Sequence, residues 1–299
     1  MSDAPLRFER DTSGEFAGIG TLWLDQPGKP VVVLDHPLMR QIESALKALP
    51  RDLRGFVLAS ANARVFVAGA DLKSIAALDD ASLHRYLEYG SSVFGRIAAL
   101  PYPTVAAING AALGGGLEIA MHCDGLVAAP SASGKPYPVG LPEAGLAICP
   151  GWGGTNLLPA RMDAKAAIER TAKGTPMSLD EAIAAGLFDA VATTPDGLLN
   201  TAKQWLVQAG TGSAKRDSAP SRWIGRAAVA SRTLWALDEL RTQLGGAEPA
   251  DSVLKAVDIG LSRGWQAALQ AERDALVRLR NAPAGKAAIE AFLSKSASR

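Results

Sequence analysis

Pro103-Thr104-Val105-Ala106-Ala107-Ile108-Asn109-Gly110-Ala111-Ala112-Leu113-Gly114-Gly115-Gly116-Leu117-Glu118 is the stretch on which the reading of this chain turns. Val105 to Ile108 is an apolar, partly β-branched run and reads as a buried strand. Asn109-Gly110 signals a turn. Gly114 to Gly116 then lead into Leu117-Glu118-Ile119-Ala120-Met121. A glycine cluster lets another group approach the backbone where a Cβ would block it. If a helix follows, its first N–H groups point outward and its dipole is positive there. That is a place to stabilise a developing oxyanion. Glu118 adds a carboxylate in apolar surroundings. The same residues also fit a tightly packed glycine turn with Glu118 as a first-turn charge that favours the helix, and taken alone they leave both readings open.

A second stretch, Arg64-Val65-Phe66-Val67-Ala68-Gly69-Ala70-Asp71-Leu72-Lys73, follows the strand-like Gly55 to Ser60. With it the chain resembles the crotonase superfamily, the enoyl-CoA hydratases and isomerases. Five pieces carry the resemblance in the family's order: Phe66 to Leu72, Ala106 to Gly110, Gly114 to Glu118, Leu141-Pro142-Glu143, and Pro150-Gly151-Trp152-Gly153-Gly154-Thr155. It covers residues 10 to 200 well and the remainder weakly. It implies an α/β fold, the crotonase (ClpP-like) spiral of ββα units with a C-terminal α-helical region. That division places a crotonase core at 1–208, a linker at 209–222 and the helical region at 223–299.

Composition fits this class. The chain has 299 residues, 48% hydrophobic and 20% charged, and its 31 basic against 30 acidic residues leave a net charge of +1. Such a balance gives no global attraction to nucleic acid or an anionic membrane. The two cysteines, Cys123 and Cys149, sit in apolar settings and read as reduced, buried thiols. Met1 to Glu15 alternates acidic and basic residues and lacks the apolar core of a signal peptide. Glu118 and Asp124 interrupt the best candidate for a long apolar run. The expectation is a cytoplasmic protein with no nucleic-acid or membrane partner.

Along the chain, Ile19 to Leu24 and Val31 to Leu34 read as strands, the first ended by the turn Asp25-Gln26-Pro27-Gly28. Asp35 can cap a helix over Pro37 to Leu49, with Leu38, Ile42, Leu46 and Leu49 on one face. Gly55 to Ser60 is a further strand, and helical spacing runs from Asp79 to Leu100 until Pro101 and Pro103 stop it. Strands alternating with helices argue for α/β architecture. Ser178-Leu179-Asp180-Glu181 is a capping box for a helix that Gly186 closes. Ala209 to Arg222 is rich in Gly, Ser, Ala, Pro, Lys and Arg and reads as a linker. Helical candidates follow at Trp223 to Leu244, Ser252 to Leu261, Trp265 to Leu279 and Ala284 to Leu293. Ile289, Phe292 and Leu293 form an amphipathic stripe that seeks a partner surface.

Adding water across a conjugated C2–C3 double bond needs a base for the water, an acid for C2 and donors for the thioester oxygen. Resemblance puts Glu143 where the family's carboxylate protonates C2, and Glu118 where its partner holds and activates the water. An apolar pocket would let one of the pair keep a proton near neutral pH. The oxyanion hole would be the backbone N–H groups of Ala70 and Gly115. Ala68 would lie near the adenine of coenzyme A. Phe292 and Lys295, in Phe292-Leu293-Ser294-Lys295, match the C-terminal pattern that contacts the nucleotide end. Asp71 can instead cap the helix that begins near Lys73, and Trp152 reads as packing. His36, His84 and His122 suggest no metal-ligand or Ser–His arrangement, so no metal site and no cofactor are expected, coenzyme A being part of the substrate.

Two departures from the family pattern stand out. Ser131 to Pro138 lengthens the interval between the two glutamates, which can shift Glu143 or reshape the acyl pocket. Val33 or a neighbour stands where many members of the family carry an asparagine in their early strand-to-helix motif. Retention of both glutamates favours a hydratase of fatty-acid or β-oxidation type over an isomerase, with other crotonase-fold acyl-CoA chemistry third. A non-catalytic acyl-CoA-binding scaffold is the competing class. The family also implies a homotrimer or a hexamer built as a dimer of trimers. The long tail resembles that of the hydratase half of fused fatty-acid oxidation proteins.

Overall fold

The computed structural model describes residues 4–210, 217 and 219–297. Strands β1 (Phe8–Arg10) and β2 (Ile19–Leu24) come first, then helix α1 (His36–Ala48) and strand β3 (Gly55–Ser60). Strand β4 (Val65–Val67) precedes α2 (Leu72–Ala77) and α3 (Asp80–Ala98). Next come β5 (Thr104–Ile108), β6 (Ala111–Leu113) and α4 (Gly115–Met121), followed by β7 (Gly125–Ala128) and β8 (Pro138–Gly140). A 3-10 turn (Glu143–Leu146), α5 (Gly154–Leu157) and α6 (Ala164–Lys173) follow. Then come β9 (Met177–Ser178), α7 (Leu179–Ala184), β10 (Ala190–Val191) and α8 (Leu198–Ala209). Helices α9 (Ala227–Leu244), α10 (Glu248–Arg263), α11 (Trp265–Asn281) and α12 (Pro283–Ala297) end the described chain.

These elements pack into two units, each assembled from three separated segments. One comprises Met1–Gly69, Ser92–Val139 and Met177–Ser221; the other comprises Ala70–Ser91, Gly140–Pro176 and Arg222–Arg299.

The first unit is built on a six-stranded sheet in the order β1-β2-β3-β5-β7-β10, antiparallel only at β1–β2 among its described pairings. Val57, Val105 and Val127 pack on one face with Ala202 and Leu206 of α8. Phe56, Leu58, Ala106 and Ile108, on the opposite face, are buried as well. Burial on both faces explains why β3 and β5 are continuous apolar runs and not alternating ones. A second sheet runs β4-β6-β8-β9. Three of the four inner strands of the large sheet are thus followed by a short strand of the small one: β3 by β4, β5 by β6, β7 by β8.

The join between β4, β6 and α4 is made by backbone in direct contact. A Cβ on Gly116 would lie 2.1 Å from the Val67 carbonyl oxygen, and one on Gly110 would lie 2.2 Å from that of Arg64. Only glycine lets those segments meet.

The second unit is mostly helical. Its core joins Ile148 and Cys149 to Ala172 of α6, Val253 of α10, Ala275 and Leu279 of α11, and Ile289 of α12.

Several local expectations hold. Asp35 Oδ1 accepts from the Leu38 N–H at 2.8 Å at the start of α1, and Ser178 and Glu181 form the full capping box of α7. Cys123 and Cys149 are buried thiols, not joined in a disulfide. Others are corrected. Val31 to Leu34 is not a ladder strand: Val33 N–H is taken by the Gln26 side chain, and only isolated backbone bonds tie the segment to 68–69. The helix expected from Trp223 begins at Ala227, because Trp223 folds its own indole over Gly225. Helix α10 begins at Glu248, before the expected Ser252, since Pro249 is tolerated in a first turn. On α12, Ile289 is buried and Leu293 packs against the core, whereas Phe292 is exposed, so the expected stripe is narrower. Residues 211–216 and 218 of the expected Ala209–Arg222 linker lie outside the described residues.

The close contact at Gly116 is testable against a glycine with room around it. Gly116→Ala should lower the urea unfolding free energy by about 1–3 kcal/mol through overpacking. Gly95→Ala, in α3 with nothing near its would-be Cβ, should raise it by about 0.5–1 kcal/mol. Equal midpoints for the two variants would contradict the packing described.

Candidate active site

In the first unit the site elements follow the short strands. Gly114, between β6 and α4, adopts φ 52° and ψ −125° and starts the helix without a side-chain cap. That backbone conformation is open to glycine and strained for other residues. Gly115 is therefore the first helical residue, at the positive end of the helix. Glu118 lies in that first turn and is buried at 1% exposure. Its backbone carbonyl accepts from His122 Nδ1 at 2.9 Å, which fixes Nδ1 as the protonated ring nitrogen. His122 also packs edge-on against Phe94. The histidine nearest the glycine-rich stretch thus braces α4 through its backbone. Ala68, just past β4, is half-buried and donates its N–H to Val32 O at 2.8 Å.

In the second unit, half-buried Ala70 precedes Asp71, whose Oδ1 accepts from Lys73 N–H and whose Oδ2 accepts from Ser74 Oγ. Asp71 is the cap of α2, as its position suggested. The C-terminal end of α2 is held from α11: Arg280 Nη1 donates to Ile75 O and Leu78 O, both at 2.5 Å, and Nη2 to Asp80 at 2.6 Å.

Glu143 opens the 3-10 turn, which ends at Ala147 in the left-handed region (φ 54°). The turn is pinned where Gly145 meets Gly174, since a Cβ on Gly174 would lie 2.0 Å from Gly145 N. The Glu143 residue is half-buried, but its Oε2 is enclosed and has no hydrogen-bond partner among the described residues. Burial pushes the Glu143 carboxyl up to about 8; its own backbone N–H opposes this, and the charge of Glu272 adds to it.

Glu272, on α11, is fully buried. Its Oε2 accepts from Gly153 N–H at 2.5 Å, and its Oε1 from Thr155 N–H at 2.9 Å and Thr155 Oγ1 at 2.5 Å. These backbone donors are ones that the start of α5 leaves unpaired within the helix. Burial raises the Glu272 carboxyl too, against the lowering effect of those three donors and of Arg273. Trp152, in the same segment, donates Nε1–H to Leu87 O and stacks edge-on with Tyr86, a packing role.

The residues singled out from sequence therefore divide. Gly115, Glu118 and Ala68 belong to the first unit; Ala70, Glu143, Phe292 and Lys295 belong to the second. Phe292 and Lys295 lie exposed on α12, which packs against α2 and the Glu143 turn. Sequence reading missed Glu272 and Arg280. Their signal was present: both are charged residues on the otherwise apolar stripe Trp265, Leu269, Leu276, Leu279 of α11. Among the described residues no group of His, Cys, Asp and Glu could hold a metal ion, and no helix is long and apolar enough to cross a membrane.

Alternation of long and short strands over two sheets, a glycine turn opening onto a buried glutamate, and a helical C-terminal region define the crotonase α/β spiral. The chain belongs to the enoyl-CoA hydratase/isomerase family, whose model matches residues 15–216. Solved structures agree on the fold. An enoyl-CoA hydratase from Bacillus anthracis is 25% identical over 93% of each chain, with a TM-score of 0.58. An enoyl-CoA hydratase from Bacillus halodurans is 20% identical over 96% of this chain and 100% of that one, with a TM-score of 0.68. Pseudomonas aeruginosa DspI is 24% identical over 80% of this chain and 87% of its own, with a TM-score of 0.60.

The raised Glu143 carboxyl has a thermodynamic consequence. Between the ordinary value of 4.5 and about 8 the folded chain holds a proton that the unfolded chain has released. Stability contributed by this group must then fall as pH rises through that window and level off above it. Urea midpoints of the wild type and Glu143→Gln, measured from pH 5 to 9, should show the wild type losing ground to the variant as pH rises. A difference independent of pH would refute the assignment.

Proposed function

We propose that this protein is an enoyl-CoA hydratase that adds water syn across the C2–C3 double bond of a 2-enoyl-CoA thioester. One observation carries the reading: within a family of this chemistry, the chain keeps a buried Glu118 and a Glu143 whose Oε2 is enclosed without a hydrogen-bond partner, and burial holds Glu143 toward its protonated form. In this reading Glu118 takes a proton from water as the oxygen bonds to C3. Glu143 delivers its proton to C2, and the electron pair of the double bond passes through the enolate-like thioester. Glu118 then gives its proton to solvent and Glu143 regains one from solvent, so that water is the only net addition. A carboxyl that holds its proton near neutral pH is suited to the acid role.

The backbone N–H groups of Ala70 and Gly115 are assigned to the thioester oxygen. Gly115 is supported by its place at the start of α4, where the helix offers unpaired donors and positive potential. Ala68, Phe292 and Lys295 are assigned to the coenzyme A moiety, and the exposure of the last two is compatible with a ligand that reaches the surface. Hydration changes no net oxidation state, so this reading calls for no redox cofactor. A homotrimer or a dimer of trimers in the cytoplasm, working in fatty-acid degradation, is part of the same proposal.

The test is loss of conjugated enoyl absorbance when the protein meets crotonyl-CoA and longer 2-enoyl-CoA esters. Glu118→Gln and Glu143→Gln should each lower kcat by about 10²–10⁴-fold while CoA-ester binding survives. Turnover of a 3-enoyl-CoA without hydration would replace the reading with an isomerase. Ester binding without turnover, indifferent to either substitution, would replace it with a scaffold.

A further inference from the structure

Helix α2 is too short to hold itself. It has six residues, whereas isolated helices are marginal in water below about 12–15. Ile75 is its one buried side chain, and half-buried Leu72 packs against the core of the second unit. Lys73, Ala76 and Ala77 are exposed. Polar contacts hold its two ends instead. At the start, Asp71 accepts from the Lys73 N–H and the Ser74 hydroxyl, and its carbonyl accepts from Ile75 N–H at 3.0 Å. At the finish the last carbonyls of a helix lack donors of their own, and here Arg280 of α11 supplies them.

That arginine is only 6% exposed, and a cation is costly to bury. Nη1 donates to Ile75 O and to Leu78 O, both at 2.5 Å, and Nη2 donates to Asp80 Oδ1 at 2.6 Å. Asn281 Nδ2 donates to the same Asp80 oxygen at 2.8 Å. Of the three Arg280 bonds only the one to Asp80 pairs charge, and that carboxylate is 60% exposed. The other two fix main chain. A guanidinium can serve several acceptors at once because its donors lie in one rigid fork, which an ammonium lacks. From Arg280 to Ala70 every link is a bond on the page. Arg280 holds Ile75 O, Ile75 N–H holds Asp71 O, and Asp71 adjoins Ala70.

We propose that Arg280 is a positioning residue for the oxyanion donor at Ala70: by clamping the far end of α2 it fixes where the Ala70 N–H points. The proposal rests on the assignment of that N–H to the thioester oxygen. A donor of this kind acts by standing in place before charge develops on the oxygen. Loss of its position therefore weakens the transition state more than it weakens substrate binding.

The experiment compares the full-length wild type with Arg280→Met and Arg280→Lys. With crotonyl-CoA, Arg280→Met should lower kcat by about 10–10²-fold and leave KM near the wild-type value. Arg280→Lys keeps a cation without the fork and should recover part of the loss. Hydrogen exchange of residues 70–79 should be faster in Arg280→Met while α10 stays protected, which separates local release of α2 from general unfolding. The decisive reading is the infrared carbonyl stretch of bound butanoyl-CoA, a saturated ester that does not turn over. Wild type should move it to lower frequency than in the free ester, and the shift should shrink in Arg280→Met and, less, in Arg280→Lys. A purely structural role for Arg280 would leave that shift intact. Should Arg280→Met not fold, Arg280→Lys carries the test alone. A wild-type carbonyl shift retained in whichever variants fold would overturn the proposal and leave the Ala70 assignment standing. No shift in the wild type itself, with the ester bound, would sink that assignment, and the proposal with it.

Discussion

Backbone pressed against backbone, with no side chain between, is the constraint on which the first unit depends. Strand β4, the turn after β5 and the first turn of α4 approach so closely that a single methyl group at Gly116 or Gly110 would occupy the space of a carbonyl oxygen. Because β6 pairs with β4 in parallel, this contact sets where α4 begins. The start of α4 in turn decides which N–H groups are unpaired and which residue, Glu118, stands in the first turn. The glycines are thus a positional device first, and any chemistry at the helix start follows from them.

The second unit answers the same need with charge. Helix α11 carries two buried charged residues that each close a helix end left open by its own chain. Glu272 satisfies N–H groups at the start of α5, and Arg280 satisfies carbonyls at the end of α2. Side chains reaching in from a distant part of the sequence do here what a local cap does elsewhere. Removal of Glu272 would leave those N–H groups without their buried acceptor, and removal of Arg280 would leave the carbonyls without their donor, a loss that exceeds the net contribution of the bonds themselves.

What could be read in the sequence follows from the range over which each signal acts. Strands β2, β3 and β5 and the caps at Asp35, Asp71 and Ser178 are local patterns, and the structure contains them. The short strands β4, β6 and β8, three residues each, are too brief for a period to register. Val31 to Leu34 shows the reverse error: its apolar character reflects burial of Val32 and Leu34, with no strand ladder. At the site, family motifs marked Glu118 and Glu143, and chemistry indicated that one carboxyl of such a pair should hold a proton. Resemblance put the acid role on Glu143; Glu272 could not be read, because its contacts with Gly153 and Thr155 span 119 and 117 residues.

That separation also orders the events of folding. The surroundings of Glu143 are assembled from segments that are synthesised early and from helices synthesised much later. While a chain emerges from the ribosome, residue 143 is present long before α11, and closing so long a loop carries an entropy cost that only the docked helices can offset. The second unit, which contains Glu143, is therefore complete only once its last segment has been synthesised and has docked.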